Sequence, residues 1–187
     1  DIKIIKIYGN DANEYLNNIV TNNIDHVNTS NSIYSCLLTP QGKFLADFFI
    51  SQFDNGFYLL VNSKFFEDLI KGLNFYKLRS RVTIKDVTDS YSYFFVPFDN
   101  TLTFFNSNDV TLGQTTQDDD AYAFDDPRIE KLGMHIVSCK NSFGKNELDI
   151  VEDDCLNYFL EQGILGMHLI RDLSKFYPLE NNLHFLN

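Results

Sequence analysis

The sequence predicts an α+β fold, and three observations lead to this prediction. Apolar segments on either side of Pro40-Gln41-Gly42 have the pattern of a β-hairpin, and a third strand follows Asn55-Gly56. Two segments, after Asp11 and after Ser63, carry apolar residues at helical spacing. The predicted strands and helices do not alternate in the regular β-α-β order of a parallel sheet. We therefore expect antiparallel sheets with helices packed against them.

The chain opens with a strand and a helix. Apolar residues alternate over Ile2–Tyr8, with lysines at positions 3 and 6, and this predicts an edge-like strand. Gly9 and Asn10 end that strand. Asp11 and Glu14 have capping-box spacing at the start of a helix. Its apolar stripe consists of Ala12, Tyr15, Leu16, Ile19 and Val20. The polar residues 21–32 predict a loop that leads into the hairpin.

The hairpin and the strand that follows it predict a three-stranded meander over residues 34–61. Pro40 presets φ for the first corner of a turn, and Gly42 can supply a positive φ. Asn55-Gly56 is a strong hairpin signal between residue 50 and the apolar run 57–61. We expect this sheet to form the floor of the binding site.

A second helix and a second group of strands follow. Ser63 is the expected N-cap of a helix over about residues 64–78, with Phe65, Phe66, Leu69, Ile70, Leu73 and Phe75 or Tyr76 on its buried face. Further strands are predicted at 82–87, 91–97, 102–105, 110–112, 121–124 and 133–138. The run Asp118-Asp119-Asp120 is interpreted as a solvated loop. A helix is expected from Asp153 or Asp154 to about Gly163, with a short helical turn at 169–172.

Composition limits the possible functions. The 187 residues carry a net charge of −11, which disfavours nonspecific nucleic-acid binding, because that depends on Lys and Arg neutralising phosphates. The hydrophobic content of 44% predicts a globular chain, and most of the 18 phenylalanines are expected in its core. The sequence has no signal peptide pattern and no apolar run long enough to span a membrane. It begins with Asp1 rather than Met, which leaves a removed leader segment open.

No catalytic or metal-binding motif stands out. The cysteines at 36, 139 and 155 are odd in number and far apart, so they indicate neither a disulfide framework nor a cysteine-built metal site. Cys36 and Cys139 lie in apolar runs and are expected to be buried. The four histidines have no metal-ligand spacing, and no phosphate loop or nucleophile elbow is present. We therefore expect no bound metal.

Four segments together carry a family resemblance. They are the hairpin at 34–50, Tyr76-Lys77-Leu78-Arg79-Ser80-Arg81-Val82-Thr83-Ile84, Asp126-Pro127-Arg128, and Tyr177-Pro178-Leu179-Glu180-Asn181-Asn182-Leu183. In this order and spacing the chain resembles the YgfZ-type folate-binding proteins, which are relatives of the glycine-cleavage T protein (aminomethyltransferase) and support iron–sulfur enzymes. The resemblance implies a T-protein-type fold, with antiparallel sheets and packed helices around a ligand channel. It covers residues 1–187, and two closely packed subdomains could divide near residues 88–90.

The basic cluster Lys77, Arg79 and Arg81 can be interpreted in two ways. The residues alone favour a solvated helix end, where cations interact well with the helix dipole. The resemblance instead implies that Lys77 and Arg79 hold the glutamate tail of a folate, since the guanidinium fork binds a carboxylate in a bidentate manner. If this segment is extended, Arg79 and Arg81 lie on the same side of it.

Three further residues are assigned to folate binding through the resemblance. Glu180 matches the glutamate that holds the pterin ring in T-protein relatives, although alone it would be taken for a surface acid. Asp47 and Arg128 complete the implied folate-binding set. Aminomethyltransferases carry two adjacent aspartates on the second hairpin strand, the first of them catalytic. Here Ala46 replaces that acid, and Asp47 should point to the opposite face of the strand.

One feature of the resembled family is not found in this sequence. There, the segment around the Glu180 position continues into a K-G-C-[YF]-x-G-Q-E signature with a functional cysteine, and a C-terminal barrel belongs to the fold. The sequence stops at Asn187, before that point. We expect the chain to represent the N-terminal folate-binding region, and Cys155 cannot replace the signature cysteine because it precedes Glu180.

Together these inferences predict a tetrahydrofolate-binding accessory protein for iron–sulfur cluster assembly or repair, without catalytic residues of its own. Its expected partners are a folate and iron–sulfur enzymes or assembly factors, with no nucleic acid and no membrane. A bacterial cytoplasmic location is preferred over the mitochondrial matrix. Two alternatives remain open: a folate-dependent aminomethyl or methyl transferase, against which Ala46 argues, and a ligand-free protein-interaction module.

Overall fold

Two antiparallel sheets and two helices form the described part of the protein. The structure is a computed structural model, and it describes residues 1–98 and 111–140. The first sheet contains β1 (Ile2–Tyr8), β2 (Ile33–Leu38), β3 (Phe44–Phe53), β4 (Gly56–Asn62) and β5 (Thr83–Asp86). The second contains β6 (Tyr91–Pro97), β7 (Thr115–Gln117), β8 (Ala121–Asp125) and β9 (Gly133–Cys139). The helices are α1 (Ala12–Ile19) and α2 (Ser63–Lys77). This arrangement confirms the predicted α+β class.

The first sheet has the order β2-β3-β4-β1-β5, with the predicted meander at one side. Strand β1 pairs with both β4 and β5, so the prediction that it is an edge strand was wrong. Its lysines do not mark an edge, because Lys6 donates to the side chain of Asp54 over 2.6 Å across the sheet. The burial of Ile4, Ile5 and Ile7 reflects this interior position.

The two meander turns form as predicted, with one difference. Gly42 has a φ of +77°, and its amide donates to the carbonyl of Thr39, which closes the first turn. In the second turn, the residues with positive φ are Asp54 and Asn55, whereas Gly56 already pairs with Phe53 as the first residue of β4. Asp and Asn tolerate this left-handed conformation better than most residues, so the turn lies one position earlier than the Asn-Gly signal suggests.

Both helices form where predicted, but their caps differ. The Asp11 side chain makes no capping hydrogen bond, because it accepts hydrogen bonds from the backbone and side chain of Arg81 instead. For α2 the cap is Asn62, whose side chain accepts from the amide of Lys64, and Ser63 is the first helical residue. Phe65, Leu69 and Leu73 are buried as expected.

The second sheet has the order β6-β9-β8-β7. Strands β6, β8 and β9 were predicted, whereas β7 was not, since its Thr-Thr-Gln sequence has no apolar pattern. Residues 111 and 112 of the strand predicted at 110–112 do not form a strand; the amide of Gln114 donates to the carbonyl of Thr111 in a turn there. The predicted strand at 102–105 and the predicted helical segments at 153–163 and 169–172 lie outside the described residues.

The core lies on both faces of the first sheet. On one face it meets α1 and α2, and on the other it meets the second sheet through an aromatic layer made of Phe49, Phe53, Tyr58, Tyr122 and Phe124. Of the twelve phenylalanines in residues 1–98 and 111–140, eight are buried, in agreement with the prediction that this residue type mainly fills the core. Buried hydroxyl groups also join the sheets: Ser32 donates to Ser51 over 2.8 Å and lies 2.7 Å from Thr115.

Three smaller predictions can also be compared with the structure. Asp118, Asp119 and Asp120 are exposed between β7 and β8, as expected of a solvated loop. Cys36 is buried, but Cys139 is half-exposed at the end of β9, so its predicted burial was wrong. In residues 1–98 and 111–140, no helix is long and apolar enough to cross a membrane.

A subdomain division near residues 88–90 stays a prediction; a short 3-10 turn, Thr88–Ser90, connects the two sheets there.

Candidate functional site between the two sheets

The alternation of strand β3 places Ala46 and Asp47 on opposite faces of the first sheet. Ala46 pairs with Leu37, which packs beneath α2 at Gly72, and it is fully buried. Asp47 pairs with Cys36 and lies on the same face as Tyr34 and Phe49, towards the second sheet. The predicted opposition of these two residues is therefore confirmed. The carboxylate at position 47 therefore lies on the face of the first sheet that packs against the second sheet.

Arg128 lies close to Asp47 on this face. The Tyr34 hydroxyl donates to Oδ2 of Asp47 over 2.7 Å. The Arg128 guanidinium lies over the rings of Tyr34 and Phe49, with its Cζ 5.6 Å and 4.9 Å from their centroids. Such cation–π contacts are strongest where water is excluded. Two of the five residues assigned to folate binding, Asp47 and Arg128, therefore come together through Tyr34, although they are 81 positions apart in the sequence.

Arg128 is fixed from its other side by a buried carboxylate. Oδ2 of Asp126 accepts from the terminal nitrogen of Arg128 over 2.7 Å, and its Oδ1 accepts from Nε of Arg128 over 3.0 Å. The backbone amide of Arg128 also donates to Asp126 over 2.9 Å. The side chains of Asp126 and Arg128 are 0% and 11% exposed. The Asp126-Pro127-Arg128 motif therefore forms a compact buried ion pair at the end of β8.

His135 extends this cluster into strand β9. Its Nε2 lies 2.8 Å from Oδ2 of Asp126, and its Nδ1 lies 2.8 Å from the Tyr93 hydroxyl. The ring is stacked at 4.7 Å on Phe124 and lies 4.4 Å from the ring of Phe49. We call Tyr34, Asp47, Asp126, Arg128 and His135 the inter-sheet cluster. It joins residues of β2, β3 and β9 to the loop after β8.

The burial of these groups sets their protonation states. Burial alone would raise the pKa of Asp126, but Arg128 and the hydrogen bond from His135 outweigh it and hold that pKa below its usual value. Burial lowers the pKa of His135 despite the neighbouring carboxylate. The imidazole is therefore neutral at pH 7, with Nε2–H donating to Asp126 and Nδ1 accepting from Tyr93.

Two groups of β2 on this face remain protonated: the hydroxyl of Tyr34 and the thiol of Cys36. Burial and the charge of Asp47 raise the pKa of Tyr34 well above its usual value, so the phenol stays a hydrogen-bond donor. Burial and Asp47 also raise the pKa of Cys36, so this thiol is not an activated nucleophile. The cluster can thus present a carboxylate, a guanidinium and two aromatic rings, but it contains no reactive thiolate.

The basic cluster lies in a different part of the fold. Lys77 ends α2 and Arg79 follows it, and α2 packs on the face of the first sheet opposite the inter-sheet cluster. The segment turns at Leu78, which has a φ of +46°, so the extended conformation that would place Arg79 and Arg81 on the same side is not formed there. Arg81 pairs with Asp11 over 2.8 Å. The role of Lys77 and Arg79 in holding a folate tail stays a prediction.

An open cleft of about 570 Å³ accompanies this turn. It is lined by Asp11, Glu14, Tyr15, Asn18, Leu78, Arg79 and Ser80. Arg79 is exposed there and, within the part of the chain that the structure describes, forms no ion pair. Acidic and basic groups are mixed along the cleft, so its charge does not select an anion as clearly as a purely basic site would.

The remaining site predictions have separate outcomes. Glu180 and Cys155 lie outside the described residues. Among residues 1–98 and 111–140, no group of three or more His, Cys, Asp or Glu side chains is arranged to hold a metal ion. Sequence reasoning did not assign roles to Tyr34, Asp126 or His135. The Asp-Pro-Arg motif was a usable signal for Asp126, because an Asp two residues before a cation readily accepts from its backbone.

Comparisons with known proteins agree on the family and the fold. The family model described as the GCVT N-terminal domain matches residues 2–97, which are 96 of the 187 residues. The crystal structure of glycine cleavage system aminomethyltransferase T from Bartonella henselae superposes with a TM-score of 0.60 at 14% identity, covering 87% of this chain and 44% of that one. That likeness shows a shared T-protein-type fold, which confirms the fold prediction.

Three curated relatives are iron–sulfur cluster assembly factor IBA57 homologues, each described as mitochondrial. The Dictyostelium discoideum protein is 26% identical over 98% of this chain and 52% of its own length. The proteins from Neurospora crassa and Pyricularia oryzae are also 26% identical, over 99% and 97% of this chain and 44% and 46% of their own lengths. The chain thus spans about half the length of the curated relatives that it matches.

The match to the family model covers β1 to β6, both helices and the meander that carries Asp47. Each of these elements was also predicted from the sequence pattern. The chain belongs to the GCVT N-terminal domain family.

Proposed function

We propose that this protein is a tetrahydrofolate-binding accessory protein for iron–sulfur cluster assembly, of the YgfZ type. One observation carries the proposal: curated iron–sulfur cluster assembly factors align with 97–99% of the chain. An aminomethyltransferase shares the fold but only 14% of the residues. The relatives support the accessory role over transfer chemistry, and they also support a mitochondrial location over the bacterial cytoplasm that the sequence alone favoured.

The inter-sheet cluster suits a reduced folate. The pterin ring offers neighbouring N–H donors that a carboxylate such as Asp47 can accept. A guanidinium such as Arg128 favours oxygen acceptors and carboxylates of the ligand. Tyr34 and Phe49 supply aromatic surface beside both charges. Asp47 and Arg128 would orient the bound folate. Glu180, Lys77 and Arg79 are proposed as additional contacts, to the pterin edge and to the glutamate tail.

The proposed function does not include catalysis of aminomethyl transfer. Ala46 occupies the position where the resembled aminomethyltransferases carry their catalytic acid, and its methyl group is buried beside Leu37 on the helix-facing side of the sheet. An alanine can neither transfer a proton nor stabilise charge. The partners proposed for this function are iron–sulfur enzymes or assembly factors rather than the other components of glycine cleavage.

Calorimetric titration with tetrahydrofolate under anaerobic conditions tests folate binding. Asp47→Asn should weaken binding, because the amide places a donor against ligand donors at a cost of about 1–3 kcal/mol. The matched control is Asp25→Asn, which changes an exposed carboxylate in the short 3-10 helix before β2 and should leave binding as in the unaltered protein. Arg79→Ala should weaken binding by about 1.5–3 kcal/mol if Arg79 holds the tail, with Lys71→Ala as its control.

A cellular assay tests the accessory role separately. In cells depleted of their own assembly factor of this type, expression of this protein should restore the activity of an iron–sulfur enzyme. If the protein binds no tetrahydrofolate, or if it restores no such activity, the proposed function is wrong. Glycine-cleavage turnover well above background in the purified protein would instead favour the transferase alternative.

A further inference from the structure

We propose that His135 is a positioning residue, which sets the orientation of Arg128 for ligand binding by acting through Asp126. The proposal rests on the proposed folate site at Arg128 and Asp47. His135 is 2% exposed at the side chain and lies behind Asp126. Its hydrogen bond to the site is made through the carboxylate that holds Arg128.

The hydrogen bonds that run from Tyr93 through His135 to Asp126 have one consistent direction. The neutral imidazole has one donor nitrogen and one acceptor nitrogen. With Nε2–H donating to Asp126, Nδ1 must accept from the Tyr93 hydroxyl, and both contacts are 2.8 Å long. The Asp126 carboxylate, which can only accept, fixes this tautomer, and the Tyr93 hydroxyl completes it as the donor to Nδ1. Two short hydrogen bonds thus connect β6 to β9, and β9 to the loop that contains Asp126 and Arg128.

The carboxylate receives donors from two directions, and this determines where Arg128 points. Oδ2 of Asp126 accepts both from His135 and from the terminal nitrogen of Arg128, while Oδ1 accepts from the backbone amide and Nε of Arg128. The carboxylate cannot rotate without losing a bond on one of these sides. The Phe49 and Tyr34 rings restrict the guanidinium from its flat side. Fixed charges bind a ligand with less ordering cost than mobile ones.

A purely structural role would rest on ring packing alone. The imidazole contacts the rings of Phe49, Phe95 and Phe124 at 4.4–5.0 Å, which a phenylalanine at this position would largely reproduce. His135→Phe therefore keeps the aromatic packing but removes the donor to Asp126 and the acceptor for Tyr93. His135→Gln keeps one donor and one acceptor on a side chain of similar length. The two variants separate packing from hydrogen bonding.

The experiment measures tetrahydrofolate affinity together with the Nε–H signal of Arg128 in NMR spectra. His135→Phe should weaken tetrahydrofolate binding about tenfold, which corresponds to the loss of one hydrogen bond, and broaden or shift the Arg128 signal. His135→Gln should bring both readouts back towards those of the unaltered protein. Tyr93→Phe, which removes a single hydroxyl group, should weaken binding in the same direction, and it decides the question if His135→Phe does not fold.

The possible results distinguish this proposal from the one on which it rests. If the unaltered protein binds tetrahydrofolate and the folded variants bind it equally well with an unchanged Arg128 signal, the positioning role is wrong and folate binding stands. If the unaltered protein itself does not bind tetrahydrofolate, the proposed function fails and the positioning role fails with it. Weaker binding in His135→Phe that His135→Gln reverses supports the positioning role.

Discussion

The buried ion pair of Asp126 and Arg128 yields the strongest stability prediction. Asp126→Asn keeps the volume of the side chain but removes its charge. The carboxylate accepts from the amide, Nε and terminal nitrogen of Arg128 and from His135, whereas the amide of Asn offers one acceptor oxygen and a competing donor. Arg128, whose side chain is 11% exposed, would lose the carboxylate that pairs with it at 2.7 Å. Removal of one partner of such a pair costs about 3–5 kcal/mol.

Urea denaturation at pH 7, followed by far-UV circular dichroism, measures this loss. The matched control is Asp11→Asn, which removes a carboxylate from the exposed pair with Arg81 and should change the free energy of unfolding far less. The reasoning would be refuted if Asp126→Asn lowered the free energy of unfolding no more than this control does. It would then follow that the buried pair contributes little to holding the loop after β8 against the first sheet.

The same pair predicts a pH dependence with a definite sign. The pKa of Asp126 is lower in the folded protein than in the unfolded chain, where it is about 3.9. The stabilisation is therefore complete above the unfolded pKa and decreases as the pH falls below about 4. The difference in unfolding free energy between the unaltered protein and Asp126→Asn should shrink over that range. A difference that stays constant from pH 7 to pH 3 would contradict the assignment.

Three further changes test other parts of the structure. Leu78→Gly should raise the free energy of unfolding, measured in urea, by about 1 kcal/mol, because glycine adopts the φ of +46° at this position without strain. Little packing is lost, since Leu78 is 87% exposed, and a decrease would contradict the prediction. Ala46→Asp should lower the urea midpoint strongly, since it places a carboxylate in a fully buried site, and it should not create aminomethyltransferase turnover. Because burial lowers the pKa of His135, stability should fall as the pH drops through about 6.5, and His135→Phe should flatten this part of the stability curve.

The separation of Asp47 from the Lys77–Arg79 turn affects how a folate could be held. A single folate that contacts both regions would have to pass around the first sheet, because the two regions belong to its opposite faces. The titrations with Asp47→Asn and Arg79→Ala therefore report on different surfaces of the protein. Weakening by Asp47→Asn alone would restrict the folate site to the space between the sheets.

The elements of this fold were predictable where local chemistry determines them. The sequence shows them as patterns of residues close to one another: the turn residues around Gly42, the apolar stripes of the two helices, and the alternation in β1, β6 and β9. Strand β7 escaped prediction because its polar residues are held by pairing with β8, and Asn62 caps α2 where Ser63 was expected. Asp11 failed as a cap because Arg81, seventy positions away, binds its carboxylate.

By itself, the sequence determined that Ala46 and Asp47 point to opposite faces, since strand geometry has a period of two. It also determined that no acid stands at position 46. It could not determine which of these faces meets the second sheet, nor that Arg128 lies over the Tyr34 ring whose hydroxyl donates to Asp47. The role of His135 as the link between Tyr93 and Asp126 was equally out of reach. These contacts were decided by the tertiary structure, because they join β2, β3, β6 and β9 and the loop after β8 through packing that no local pattern encodes.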